Sequence, residues 1–223
     1  MQLYFIRHGQ SSNNFLYDTT GSSVGRSEDP ELTETGRHQA ELLAQFLARG
    51  VGITHLYTSL MVRAVATACI LSRALHLAPV AWEDLHEGGG IYLDDSQTGE
   101  KIGQPGKTRA YFATHYPELI LPPTLNDAGW WNRPFEVYEQ TLARAERFLN
   151  DLLARHGNTE DRVAVVSHGG FYNALMHTLF KIGRPGVWFA LHNAAITRID
   201  FLGEETVLVY TNRTDFLPDA LVT

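Results

Sequence analysis

With 223 residues, 44% of them hydrophobic and 19% charged, the chain has apolar surface enough for one substantial core, since single cores stop growing at roughly 250–300 residues. Its 18 Lys and Arg face 25 Asp and Glu, a formal charge of −7 without any basic block, which argues against nucleic acid because phosphate-backbone binding is driven by clustered cations. Cys69 is the lone cysteine, no apolar run approaches the roughly 20 residues that span a bilayer, and Arg7 interrupts the N-terminus too early for a signal peptide, so the expectation is a cytoplasmic protein with no membrane association.

The first element is a strand over 2–7, QLYFIR. Ala40, Leu43, Ala44 and Leu47 recur at helical spacing, so 34–49 is predicted as an amphipathic helix closed by Gly50. HLYTS (55–59) reads as a short strand, 61–77 as a helix and 79–82 as a third strand. From 84 to 135 the periodicity dissolves under Gly88-Gly89-Gly90, Pro105-Gly106, Pro122-Pro123 and Trp130-Trp131, with one short helix near 107–116. A connection of that length is usually functional or carries structure of its own; it reads as a cap or specificity segment. Helix returns over 135–156, with Val137, Ala145, Phe148, Leu149 and Leu152 on one face. RVAVVSHGG (162–170) is a buried strand followed by a helix over 171–181, and strands over 194–201 and 205–210 pair through a turn at Gly203. Alternating β and α units with near-continuous apolar strands predict an α/β fold of three layers, α/β/α, with a mostly parallel central sheet. The whole chain, 1–223, is then one domain in which 84–135 is a cap inserted after the third strand.

In such sheets ligands bind beyond the carboxyl ends of the strands. Two strands here end alike, in Arg7-His8-Gly9 and in Ser167-His168-Gly169-Gly170. Each delivers a histidine to that edge, followed by glycine, which lets backbone and ligand approach closely, and by a start of helix or loop whose free N–H groups favour an anion. Should the two strands be neighbours, His8 and His168 flank one bound group. Arg63 lies in the first turn of the helix after the 55–59 strand and points towards the same edge. Arg7 and Arg63 together offset much of a phosphate dianion through guanidinium forks. A neutral imidazole can attack phosphorus once that charge is offset, and Glu87, after the third strand, is the best candidate to protonate the leaving oxygen.

These pieces fall in a recognisable order: Arg7-His8-Gly9-Gln10-Ser11 with Asn14, then Leu32-Thr33 with Gly36, Gln39 and Ala40. Tyr57-Thr58-Ser59 with Arg63-Ala64 and Thr67-Ala68 follows, then Leu85 with Glu87, then Ser167-His168-Gly169-Gly170, and late in the chain Asn193-Ala194-Ala195-Ile196-Thr197. The chain resembles branch 1 of the histidine phosphatase superfamily, the phosphoglycerate mutase-like proteins, from end to end. The resemblance implies His8 as the phosphohistidine, with Arg7, Arg63 and His168 holding the phosphoryl group. It further implies Asn14 and the Gly169 N–H as supporting donors, Glu87 as proton donor and then base, and neither metal nor organic cofactor.

The family holds mutases as well as phosphatases. The mutase pattern continues from the glutamate as Arg-His-Tyr-Gly and later has paired arginines, whereas here Glu87 precedes Gly88-Gly89-Gly90-Ile91-Tyr92 and no two arginines are adjacent. The expectation is therefore a phosphatase acting on a small phosphorylated metabolite, with phosphoglycerate mutase as the alternative and a catalytically silent domain of the same fold behind it. Trp131 and Arg133, within the non-periodic segment, are candidates for substrate contact as against simple cap packing. His38, His55, His76, His115, His156 and His177 lack evident partners and are expected in surface or core roles, while His86 and His192 adjoin the motifs. Asp94-Asp95 reads as a solvated turn without a metal. Homo-oligomerisation is left open.

Overall fold

The computed structural model describes residues 1–183 and 186–223. In chain order its elements are β1 (Gln2–Arg7), α1 (Ser12–Thr20), α2 (Glu34–Ala48), β2 (His55–Thr58), α3 (Val62–Leu75), β3 (Val80–Ala81), β4 (Tyr92–Asp94) and β5 (Lys101–Gly103). There follow α4 (Arg109–His115), α5 (Tyr138–His156), β6 (Arg162–Ser167), α6 (Gly169–Leu179), β7 (Ile196–Leu202) and β8 (Glu205–Arg213). Six of the strands form one sheet in the order β3-β2-β6-β1-β7-β8. The first four run parallel, and β7 and β8 are antiparallel to their neighbours.

The continuous apolar run of β1 has a direct cause. Successive side chains point to opposite faces, and both faces are covered. Leu3 and Phe5 join Val163 and Val165 of β6 in a core closed by Phe148 and Leu152 of α5 and Phe171, Tyr172 and Leu175 of α6. Tyr4 and Ile6 join Ala164 and Val166 in a second core closed by Leu43 and Leu47 of α2 and Ala64, Ala68 and Leu71 of α3. The predicted three-layer α/β/α architecture with a mostly parallel sheet is the one observed. Among the described residues no helix is long and apolar enough to cross a membrane.

Three segments depart from the sequence reading. The stretch after Ser11 is helical as α1: Ser11 Oγ accepts the Asn14 N–H at 3.3 Å, Asn14 Oδ1 accepts the Ser11 N–H at 3.0 Å, and Gly21 closes the C-terminus at φ 67°. No residue of α1 is buried, so the helix has no apolar stripe to announce it. Residues 84–135 contain the β4–β5 hairpin and α4, and they share a third core with α3. Ile91, Phe112, Leu119, Leu125, Trp130 and Trp131 pack onto Leu60, Met61, Val65 and Cys69 at the start and outer face of α3. Their irregular spacing is what side chains gathered by non-local contacts look like in sequence. The helix expected from 135 begins at Tyr138, because Val137 is extended and donates its N–H to Gln140 Oε1 at 3.0 Å.

Candidate active site

Strands β1 and β6 are parallel neighbours with Arg7 opposite Ser167, so His8 and His168 leave the sheet side by side, their ring centroids 5.0 Å apart. His8 Nδ1 lies 2.6 Å from the Gly9 carbonyl oxygen. A carbonyl only accepts, so the proton sits on Nδ1 and Nε2 carries the lone pair. That lone pair accepts from Arg63 Nε at 3.0 Å. Burial, and then the charges of Arg63 and Arg7, hold His8 well below the ordinary histidine value. The imidazole is thus neutral, oriented and aimed at a cation.

Arg63, in the first turn of α3, is itself buried. Its Nη2 lies 3.2 Å from Met61 Sδ and its Nη1 3.8 Å from Asp29 Oδ1. Asp29, a residue the sequence reading passed over, accepts the Val62 N–H at 3.0 Å, and burial raises its carboxyl to about 6. Thr67 Oγ1 accepts the Gly9 N–H at 3.1 Å and donates to the Arg63 carbonyl at 2.8 Å, fastening the His8 loop to the helix that carries Arg63.

His168 is fully buried, with Nε2 2.9 Å from Ser59 Oγ, and burial followed by the Arg63 charge keeps it well below the ordinary histidine value. Arg7 donates through Nη1 to the Leu191 carbonyl at 2.5 Å. His168 Nδ1 and Arg7 Nε are both buried with no hydrogen-bond partner among the described residues. Unpaired buried polar atoms are costly and uncommon, and here two of them belong to the residues that flank His8. The Gly169 backbone adjoins the same cation, the position of its missing Cβ lying 3.7 Å from Arg7 Nε. Asn14 Oδ1 is taken by Ser11 and by Asn193 Nδ2 at 3.3 Å, which leaves its amide nitrogen as the end that can donate to a ligand.

Glu87 sits on the N-terminus of α6. Its Oε1 accepts the Gly88 and Phe171 N–H groups, each at 2.8 Å, and its Oε2 accepts that of Gly170 at 3.1 Å. A side chain on Gly170 would collide with this carboxylate, its Cβ falling 2.5 Å from Glu87 Oε1. The segment leading into Glu87 is clamped by Arg144 of α5, whose Nη1 donates to the carbonyls of Asp84 and His86 at 2.6 and 2.9 Å. Arg144 is paired in turn with Glu136 at 2.6 Å. Sequence reasoning missed this arginine. The available signal was a charge one residue before Ala145 and one turn before Phe148, on the buried face of a helix.

Gly9, expected to admit the ligand, also makes a close approach within the fold: a Cβ there would collide with the Gly36 carbonyl oxygen. Its missing side chain lets the His8 loop pack on the first turn of α2. Trp131 is 5% exposed within the core formed by 84–135 and α3, and the exposed Arg133 stacks over it at 4.2 Å. His86 is buried as well, its ring 4.7 Å from that of Trp131. Two of the histidines expected to lack partners, His55 and His156, in fact converge with Asp161 at the opposite edge of the sheet.

A geometry of this kind, two histidines and two arginines gathered at the edge of a parallel sheet, defines a phosphoryl-transfer class of protein. The model of the histidine phosphatase superfamily, branch 1, matches residues 3–214. The chain belongs to that family. A putative phosphoserine phosphatase 2 of Hydrogenobacter thermophilus is 31% identical over 221 residues, 95% of each chain. A probable phosphoglycerate mutase of Photorhabdus laumondii is 41% identical over 204 residues, 90% of this chain and 85% of the relative. Among solved structures, the phosphoserine phosphatase of Entamoeba histolytica, a mutant in complex with phosphoserine, superposes with a TM-score of 0.63 at 22% identity, covering 97% of this chain and 99% of the other. A mycobacterial glucosyl-3-phosphoglycerate phosphatase gives the same TM-score and identity over 96% and 99%. These two solved structures share the fold.

Proposed function

We propose that the protein is a phosphomonoesterase that works through a phosphohistidine on His8. The observation that carries this reading is the Nε2 lone pair of a neutral His8 facing Arg63, with the unpaired donors Arg7 Nε and His168 Nδ1 beside it. A phosphoryl group set there receives N–H groups from Arg7, Arg63, His168, Asn14 and the Gly169 backbone. Its negative charge meets cations in a site from which water is largely excluded, where electrostatic stabilisation counts most. With the Ser59 hydroxyl donating to His168 Nε2, the neutral His168 ring carries its proton on Nδ1 and points it at the phosphoryl oxygens.

The first half-reaction forms the bond from His8 Nε2 to phosphorus and breaks the bond from phosphorus to the ester oxygen, which takes a proton from the Glu87 carboxyl. In the second, Glu87 accepts a proton from water, the hydroxyl oxygen bonds to phosphorus, and the phosphorus–nitrogen bond breaks to return neutral His8. The anchoring of Glu87 on the α6 N-terminus supports one fixed position for both proton transfers.

The substrate is a small phosphorylated metabolite, and residues 84–135 act as the cap that selects it within a single domain spanning 1–223. The name of the 31%-identical relative favours phosphoserine-like esters. We place the protein in the cytoplasm on its single cysteine, a buried thiol that burial pushes up to about 12 and so makes unreactive. The second reading, a phosphoglycerate mutase, rests on the mutase relatives, the 41%-identical one foremost. Against it stands the absence of adjacent arginines from the sequence. Phosphate release from phosphoserine, 3-phosphoglycerate and an aryl phosphate, run beside isomerisation of 3-phosphoglycerate with and without 2,3-bisphosphoglycerate, separates the two. Isomerisation faster than phosphate release would overturn the phosphatase reading.

A further inference from the structure

At the opposite edge of the sheet from His8, three elements present metal-ligating side chains to one point. His55 opens β2, His156 is the last residue of α5, and Asp161 immediately precedes β6. One donor atom from each lies within 4.8 Å of the other two. His156 Nδ1 is 2.8 Å from Asp161 Oδ2, and His55 Nδ1 is 3.8 Å from Asp161 Oδ1. The strand β6 separates this cluster from His168 by six residues, or about 20 Å of extended chain.

We propose that His55, His156 and Asp161 form a divalent-metal site for zinc, distinct from the phosphoryl-transfer centre. Two imidazoles and a carboxylate with an open fourth position are a recurrent zinc donor set, with bonds of about 2.0–2.2 Å. Such bonds require donor atoms roughly 3–3.5 Å apart. The pair from His156 and Asp161 is already close to that, and the His55 side chain, 40% exposed, closes the remainder by exchanging its 2.9 Å contact from Nδ1 to Thr54 Oγ1 for the metal. The outer shell fits as well. His156 Nε2 lies 3.0 Å from the Tyr57 hydroxyl. When Nδ1 gives its lone pair to a metal the ring proton moves to Nε2, and the Tyr57 oxygen is in place to accept it, as the second nitrogen of a metal-bound histidine requires. His156 and Tyr57 are buried, while Asp161 is 26% exposed, so the site has one fixed wall and one side open to water. Zinc there ties the end of α5 to the beginnings of β2 and β6 and stabilises the folded chain by mass action.

The test uses the full chain without any histidine tag. Equilibrium dialysis against zinc chloride should find one saturable zinc per chain, and thermal unfolding should show a zinc-dependent rise in midpoint. His55→Ala, at a half-buried position outside the catalytic machinery, should weaken zinc binding by more than tenfold and abolish that rise while aryl phosphate turnover stays at the wild-type rate. Tyr57→Phe should weaken it by about tenfold through loss of the outer-shell acceptor. Cobalt(II) in place of zinc should give the visible absorption of a low-coordinate site, lost in His55→Ala. Undiminished zinc binding in His55→Ala, or binding that inorganic phosphate displaces, would place the metal at His8 and His168 and overturn the proposal. So would the absence of any saturable binding.

Discussion

Replacing Arg144 with methionine keeps most of the stem's volume and deletes a charge from a position only 2% exposed. The guanidinium donates to the Glu136 carboxylate at 2.8 and 2.6 Å and to the carbonyls of Asp84 and His86 at 2.6 and 2.9 Å, and it lies 4.6 Å over the Phe171 ring. Arg144→Met therefore strands two carbonyls and a carboxylate whose side chain is 10% exposed. Breaking a buried pair from one side costs about 3–5 kcal/mol, a large share of the roughly 5–15 kcal/mol that holds an ordinary domain folded. Urea unfolding followed by circular dichroism measures this loss. Adding Glu136→Gln removes the stranded charge, so the double variant should be more stable than the sum of the two single losses by at least about 1 kcal/mol. Turnover should fall as well, since the two carbonyls belong to the segment that delivers Glu87. A loss below about 1 kcal/mol would rank the pair with exposed ion pairs and refute the clamp.

Stability should rise with pH across the acid range. Burial, and then the arginine charges, keep His8, His86 and His168 well below the ordinary 6.5, so below that pH the unfolded chain binds protons that the folded one refuses. Asp29 opposes this: with its folded value raised from 3.8 to about 6, its contribution is full at low pH and is lost as pH rises through about 6. Asp29→Asn should therefore steepen the rise between those values by about 1.4 kcal/mol per pH unit, and an unchanged slope in denaturant titrations would contradict the assignment. Gly170→Ala places a Cβ 2.5 Å from Glu87 Oε1 and should push the carboxylate off the α6 N-terminus. Turnover should fall by roughly a hundredfold while inorganic phosphate inhibits as before; a wild-type rate would deny Glu87 its fixed position.

The sheet was legible because its buried strands have two apolar faces and so read as unbroken runs, and the residues at their carboxyl ends followed directly. His8, Arg63 and His168 could be gathered from sequence because each sits within a few residues of a strand end. Helix α1 escaped because none of its residues is buried. The Arg144 clamp escaped because its partners are carbonyls and a loop carboxylate, which leave no periodic trace. His55, His156 and Asp161 escaped for a different reason: they lie on separate elements, and only the β2–β6 pairing and the end of α5 bring them together. The close contact of Gly9 with Gly36 escaped as well, because it joins two elements that the sequence alone does not bring together.

The central claim is that His8 carries the phosphoryl group, and rapid-quench labelling tests it most directly. The protein is mixed with a phosphomonoester for a fraction of one turnover, stopped under alkaline denaturing conditions, digested and mapped by mass spectrometry. The account predicts an acid-labile, alkali-stable phosphoryl group on the peptide containing His8, absent in His8→Ala together with turnover, and accumulating in Glu87→Gln when an activated aryl phosphate supplies a leaving group that needs no proton. Turnover that persists in His8→Ala, or phosphate found on another residue, would contradict it.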